Sequence, residues 1–171
     1  LAKPVVVGAQ TARVVGPAGE EIHDDKGGRI KVQFHWDRKG EQDDHSSCFV
    51  RVAQRWAGPG WGASFVPRIG QEVLVRFLEG DPDRPLVVGA VYNGASAPPI
   101  ALPDDKTRST LRSDSSQGGG GYNELRFEDA KGSEEVYAHA QKDETIAVEN
   151  DKGQKVGADE GLEVAKDRTQ E

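Results

Sequence analysis

Apolar and polar residues alternate in short runs through the first half of the chain, which is the pattern of half-buried β-strands. The clearest run spans residues 29–36. Its predicted apolar face comprises Ile30, Val32, Phe34 and Trp36. We therefore expect a strand that buries this face and leaves the other in solvent.

Weaker alternation predicts further strands on both sides of this run. They are expected at residues 12–15, 21–23, 48–52, 73–78 and 86–92. Cys48 shares a predicted apolar face with Val50, so we expect its side chain in the core. Five or six short strands within residues 1–93 fit a small closed barrel, because closure removes exposed strand edges.

The pattern changes after this region. Residues 94–121 are rich in Pro, Ser, Thr and Gly, and they are predicted to form a linker or neck. Apolar positions then recur on either side of residues 129–132, which predicts a β-hairpin.

The last thirty residues repeat with a period of eight. Three registers carry the repeat: Asp143, Asp151, Asp159 and Asp167; Val148, Val156 and Val164; and Ile146, Gln154, Leu162 and Gln170. A fixed period is the usual sign of a stacked architecture. Eight extended residues span only about 26 Å, so one octad is too short to wrap a full coil alone.

Three chains could each supply one side of such a coil and bury their apolar side chains on a shared axis. The predicted inward packing positions are Ile146, Val148, Val156, Leu162 and Val164, with Asp143, Asp151, Asp159 and Asp167 at recurring turns. The alternative is a disordered charged tail, because 14 of residues 142–171 are charged. Regular spacing favours the trimer, so residues 122–171 are expected to hold the hairpin and the start of a trimeric β-helix.

Composition narrows the class of protein. Twenty-one Gly and nine Pro, with little helical periodicity, indicate an all-β fold. The net charge is −7, with 12 basic and 12 acidic residues in 1–93 but 10 and 17 in 94–171. Nucleic-acid-binding surfaces are normally basic, so we expect no nucleic-acid partner.

No apolar run reaches the roughly 18 residues of a membrane span. The chain starts at Leu1 and contains no Met, which suggests a piece of a longer protein.

Candidate catalytic and metal-binding groups are sparse. His45 and Cys48 lack the further ligands that a structural zinc site needs. Asp81 and Asp83 flank a proline in a predicted turn, which favours a turn role over acid–base chemistry. The four glycines of 118–121 lack the ending of a phosphate loop and are expected to relieve crowding where three chains converge. We predict no catalytic residue, no cofactor, no metal site and no enzymatic activity.

Trp56 and Trp61 lie close together on either side of a Gly-Pro-Gly turn. They could stack on a sugar or a base, as aromatic residues do in binding barrels. Packing in the barrel core or at a subunit contact is the favoured interpretation. The rival hypothesis for the whole chain is therefore a carbohydrate- or nucleic-acid-binding barrel that is tethered by its charged tail.

Four segments resemble the VgrG family, the spike proteins of bacterial type VI secretion. They are GRIKVQFHWDR at 28–38, RVAQRWAG at 51–58, PRIGQEVLVRFLEGDPDRPLVVGAVYN at 67–93 and GGGGYNELRFED at 118–129. The family is similar to the central spike of contractile phage tails. The resemblance implies a five-stranded barrel of the oligonucleotide/oligosaccharide-binding (OB) type for residues 1–93, then a neck and an intertwined three-chain β-helix.

The resemblance also implies partners and a location. It implies a homotrimer that punctures a target membrane mechanically and delivers effectors, with an Hcp tube and a PAAR-type tip protein as further partners. Such a spike is assembled in the bacterial cytoplasm and then secreted, either outside the cell or into a target cell. The octad departs from the simplest family pattern, because Gly follows Val only at Gly157, while Glu149 and Ala165 occupy the equivalent positions.

Overall fold

The computed structural model describes residues 2–166. In this range the regular elements are strands and one short 3-10 turn at Leu78–Gly80, and no helix there is long and apolar enough to cross a membrane. The strands are β1 (Ala9–Val15), β2 (Lys31–Phe34), β3 (Arg51–Val52), β4 (Ala57–Gly58), β5 (Trp61–Gly62), β6 (Glu72–Phe77), β7 (Pro85–Val91), β8 (Arg108–Asp114), β9 (Tyr122–Glu128) and β10 (Glu135–His139). The predicted all-β fold class is confirmed.

Five of these strands form the barrel. They hydrogen-bond in the order β2-β1-β6-β7-β3, antiparallel throughout except that β3 runs parallel to β7. An isolated antiparallel bridge between Ile30 and Val50 links the two ends of this order. Every strand of the set therefore has a neighbour on each side, and the sheet closes as an OB-type barrel.

The barrel core consists of β-branched side chains at alternating strand positions. Its fully buried members include Val14, Ile30, Val32, Val50, Val73, Val75 and Val87. Phe34, Val52, Val66 and Phe77 are partly buried and pack against this cluster. The alternation in the sequence thus predicted the inward residues of the strong strands correctly.

The ends of the predicted strands differ from the structure. Trp36 lies beyond the end of β2 and is 65% exposed, because a turn follows Phe34 and breaks the alternation. Cys48 is exposed rather than buried, because regular pairing begins only at the Val50 bridge. Residues 21–23 form no strand. Local apolar spacing therefore placed strand centres but not strand ends.

A second sheet follows the barrel, with β9 between β8 and β10. The predicted hairpin is β9 with β10, in which Leu125 faces Ala138 and Phe127 faces Val136. Strand β8 was missed, because it lies inside the segment 94–121 that was predicted to be a linker or neck. Its sequence, RSTLRSD, contains a single apolar residue and so carries no alternation to read. Backbone pairing with β9, and not the burial of apolar side chains, holds β8 in the sheet.

Residues 1–141 form one compact unit and residues 142–171 a second. The described part of the second unit, residues 142–166, has no assigned strand or helix. Bends interrupt it at residues 149–150, 157–158 and 165–166, which are eight positions apart. The period of the sequence is thus also a period of the backbone.

Candidate assembly interface

The bends in the second unit lie next to the repeated aspartates. Asp151 and Asp159 each directly follow a bend, and Asp143 follows a bend at residues 141–142. Asp167, the fourth residue of the predicted set, lies outside the described residues. The assignment of these aspartates to turns in an assembled needle stays a prediction.

The five predicted packing residues are all open to solvent in the single chain. Their exposed fractions are 64% for Ile146, 49% for Val148, 45% for Val156, 65% for Leu162 and 45% for Val164. Aliphatic side chains at regular spacing on an extended segment present apolar surface that this chain does not cover. Their burial between chains is a prediction that the single chain leaves open.

The second sheet exposes an apolar face as well. Its register brings Leu111, Leu125 and Ala138 into one row, and Ser109, Phe127 and Val136 into the next. Leu111 is 59% exposed, Leu125 41%, Phe127 42% and Val136 70%. An antiparallel sheet normally packs its apolar face on a core. Here that face is available for a partner.

The opposite face of this sheet is polar, and most of its groups have partners within the chain, the exception being the buried Arg126 Nε, which has none among residues 2–166. Glu124 is almost fully buried and accepts a hydrogen bond from the Thr110 hydroxyl at 2.8 Å. The Arg126 guanidinium lies over the ring of Tyr137 at 4.3 Å, and its hydrogen bond to Glu135 raises its pKa. Tyr122 stacks on His139 with ring centroids 4.4 Å apart. This face therefore has little need of a partner, and the apolar face is the better candidate interface.

A glycine-rich loop holds the second sheet to the barrel within one chain. The Glu21 carboxylate accepts hydrogen bonds from the Gly118 amide at 2.7 Å and from the Ser116 hydroxyl at 3.1 Å. The Arg68 guanidinium donates to the carbonyl of Asp114 at 2.7 Å. A Cβ at Gly121 would lie 2.3 Å from the Gln141 side chain. A side chain at residue 121 would therefore displace Gln141, whose Oε1 accepts a hydrogen bond from the Tyr122 amide.

Trp56 and Trp61 form an exposed aromatic pair on the β4–β5 hairpin. Their exposed fractions are 66% and 55%, and their rings meet edge to face with centroids 5.2 Å apart. A Cβ at Gly58 would lie 2.2 Å from the Trp61 ring, so the glycine is what lets this ring lie against the hairpin. The interpretation that these residues pack in the barrel core is wrong. A subunit contact and ligand stacking both stay open.

The remaining candidate groups have local partners. Lys3 binds both Asp81 and Asp83, at 2.7 and 3.0 Å, and this lowers the pKa of Asp81 and raises that of Lys3. These carboxylates lie at a turn, as predicted. His45 contacts Asp43 and Asp44, and Cys48 joins no cluster of metal-ligand side chains in residues 2–166.

Comparison with known families assigns both parts of the chain. Residues 12–92 match the type VI secretion system/phage-baseplate injector OB domain. Residues 109–171 match the bacteriophage T4 gp5 C-terminal trimerisation domain. The barrel topology and these matches define a segment of an injector protein of the class that type VI secretion systems share with phage baseplates.

Curated relatives narrow this class. The chain is 58% identical over 155 residues to the type VI secretion system spike protein VgrG4b of Pseudomonas aeruginosa, covering 91% of the chain and 19% of the relative. It is 50% identical over 163 residues to the spike protein VgrG3 of Vibrio cholerae, covering 95% of the chain and 16% of the relative. This chain belongs to the VgrG family, and it spans about a fifth of the length of the curated relatives it matches.

Proposed function

We propose that this chain works as part of a homotrimeric spike that acts mechanically, puncturing a target membrane and carrying effectors with it. The observation that supports the proposal best is that two exposed apolar surfaces lie in the same part of the chain. The apolar face of the second sheet and the exposed aliphatic residues of the repeat both lie within residues 109–171, which match a trimerisation domain. Three copies would cover surfaces that one copy leaves in water.

The backbone of the repeat supports the same proposal. Within residues 142–166 no backbone N–H donates to a backbone carbonyl. Extended chain with unpaired N–H and C=O groups is a template for pairing with another chain. Cross-chain strand pairing would satisfy these groups at the same time as the aliphatic side chains are buried.

Burial of the aliphatic residues supplies the driving force. We assign the inward positions to Ile146, Val148, Val156, Leu162 and Val164, and the recurring turns to Asp143, Asp151, Asp159 and Asp167. Each square ångström of apolar surface removed from water contributes about 25 cal/mol. Three chains that bury these rows in every octad gain stability with each further octad, which suits a rigid needle.

In this proposal the chain divides into three functional regions. Residues 1–93 form the OB-type barrel, residues 94–121 the neck, and residues 122–171 the hairpin and the start of the needle, with β8 as a part of the neck that pairs onto the hairpin. No covalent bond is broken by this chain. Its proposed partners are two further copies, an Hcp tube, a PAAR-type tip protein and effector proteins, with assembly in the bacterial cytoplasm before secretion.

The rival hypothesis of a tethered binding barrel gains no support from the relatives, since those compared are named as spike proteins. The exposed Trp pair is compatible with a subunit contact in the spike.

The experiment compares two substitutions at neighbouring residues of the repeat. Val156→Asp places a charge at a proposed inward position, whereas Lys155→Asp places the same charge on the opposite face of the extended segment. Light scattering should give three times the mass of one chain for the parent and for Lys155→Asp, and a lower mass for Val156→Asp. A monomeric parent would contradict the trimer, and a trimeric Val156→Asp would contradict the inward assignment.

A further inference from the structure

The octads of the repeat are of two alternating kinds. Two registers that lie two positions apart carry the difference. The first register reads Glu144, Lys152, Glu160 and Arg168, and the second reads Ile146, Gln154, Leu162 and Gln170. An octad with an acid and an aliphatic residue is thus followed by one with a base and an amide. The sequence has a superperiod of 16 residues within its period of eight.

In the cross-chain strand pairing proposed above, these two registers and the Val register share one face. Side chains at every second position of a strand point to the same side, so Lys152, Gln154 and Val156 would lie together there. The amide Nε2 of Gln154 donates to Oε1 of Glu160 at 2.7 Å. This hydrogen bond joins the second register of one octad to the first register of the next octad.

We infer that this alternation sets the register of three chains against one another. The inference rests on the proposed trimer and goes beyond it, because it names what aligns the copies. The partner that this face fits is a second and a third copy of the same chain, matched octad to octad. Gln154 is the specificity-determining residue of the described octads.

The Val register cannot align the chains. Val148, Val156 and Val164 are identical, so a chain displaced by one octad would pack its valines equally well. Sequences with a uniform repeat are prone to such slips unless another position distinguishes the repeats. A polar residue at one core position is the device that fixes register in coiled coils.

The register that alternates Ile146, Gln154 and Leu162 penalises a displacement of one octad. In register, three Gln154 amides meet, and each amide has donors and an acceptor with which to bind its neighbours. After a slip by one octad, the amide meets Ile146 or Leu162 and loses its partners, which is costly for a buried polar group. A slip of two octads restores the match but leaves two octads of each displaced chain without partners.

The test is a sorting experiment with the full chain. In the inverted variant the amide and aliphatic residues of the octads are exchanged by Ile146→Gln, Gln154→Ile and Leu162→Gln, and the charged residues are left as they are. In trimers of the inverted variant alone, identical residues still meet in every octad. In trimers mixed with the parent, glutamine meets an aliphatic residue. The control variant exchanges residues on the other face, by Thr145→Gly, Ala147→Lys, Gly153→Thr and Lys155→Ala. Gly153 has an ordinary φ and open space around its Cβ position, so it accepts threonine.

Each variant is co-expressed with a parent of different tag mass, and native mass spectrometry counts pure and mixed trimers. The control should mix with the parent in binomial proportions, and mixed trimers of the inverted variant should be depleted by about tenfold or more. Binomial mixing of the inverted variant would overturn the register inference while leaving the trimer intact. A monomeric parent would overturn the proposed function itself, so the two failures are distinguishable. Should the inverted variant not trimerise, Gln154→Leu with the parent replaces it, and the same depletion or its absence decides.

Discussion

Ile30 and Val50 exchange both of their backbone hydrogen bonds, at 3.0 and 2.7 Å, and both side chains are buried in the core. The two residues lie just outside the assigned strands and form an isolated bridge. This bridge joins the β2 and β3 ends of the sheet order, so it converts an open sheet into a closed barrel.

Shortening Ile30 should weaken the whole barrel. Ile30→Ala removes a fully buried side chain and leaves a cavity beside the closing bridge, so we expect a loss of about 2–5 kcal/mol in the free energy of unfolding. Ile22→Ala, at a residue that is 37% exposed, is the matched control and should cost less than about 1 kcal/mol. Urea unfolding followed by circular dichroism measures both. Equal losses for the two variants would show that Ile30 has no special place in the core.

The turn before Ile30 depends on an ionised carboxylate. Asp25 accepts hydrogen bonds from the Gly27 and Arg29 amides at 2.9 and 3.1 Å and from Arg29 Nε at 2.7 Å. The hydrogen bond with the Arg29 side chain is the main reason that the pKa of Asp25 falls from 3.8 to about 2. A lowered pKa means that the folded state binds this proton less readily than the unfolded state does.

The stability from Asp25 should therefore be fully present above pH 3.8 and be lost as the pH falls through about 2. The difference in melting temperature between the parent and Asp25→Asn should shrink over this interval. Carboxyl NMR of the folded parent checks the cause directly, with an expected midpoint near 2. A midpoint at the ordinary value, or a stability difference that does not vary with pH, would contradict this account.

Adding a methyl group at Gly58 should separate the exposed Trp pair. Its Cβ would lie 2.2 Å from the Trp61 ring, so Gly58→Ala must displace that ring from Trp56. We expect the near-ultraviolet circular dichroism of the coupled indoles to change, while the far-ultraviolet spectrum of the barrel does not. Gly89→Ala is the control, since a Cβ there meets nothing within 4 Å. An unchanged near-ultraviolet spectrum in Gly58→Ala would mean that the pair is not packed in this way.

Removing the Glu21 carboxylate should release the glycine-rich loop from the barrel. Glu21→Ala deletes the acceptor of the Gly118 amide, and a hydrogen bond to a charged acceptor is strong enough that its loss should speed exchange of that amide by about tenfold or more. Glu20→Ala is the matched control, because among residues 2–166 the Glu20 carboxylate accepts a single, long hydrogen bond of 3.4 Å from the Gln117 side chain. Hydrogen exchange followed by NMR reads the Gly118 amide in both variants. Similar rates in the two would exclude Glu21 as the anchor.

The sequence predicted those features of the fold that are encoded locally. Alternation identified Ile30 and Val32 as inward residues, because every second side chain of a strand faces the same side. It missed β8, whose residues are almost all polar and whose place in the sheet comes from backbone pairing with β9. It also misplaced Cys48, because a local pattern does not reveal where pairing begins.

By itself, the sequence determined the all-β class, the family resemblance and the octad with its regular Asp and Val, since each is a matter of residue type and spacing along one chain. Only the tertiary structure decided that Ile30 meets Val50 to close the barrel and that Glu21 holds the glycine-rich loop. It alone put Leu111 and Phe127 on an open face of the second sheet. These facts depend on which distant segments pair, and that choice rests on backbone hydrogen bonds, which every residue except proline can donate and which composition therefore does not record.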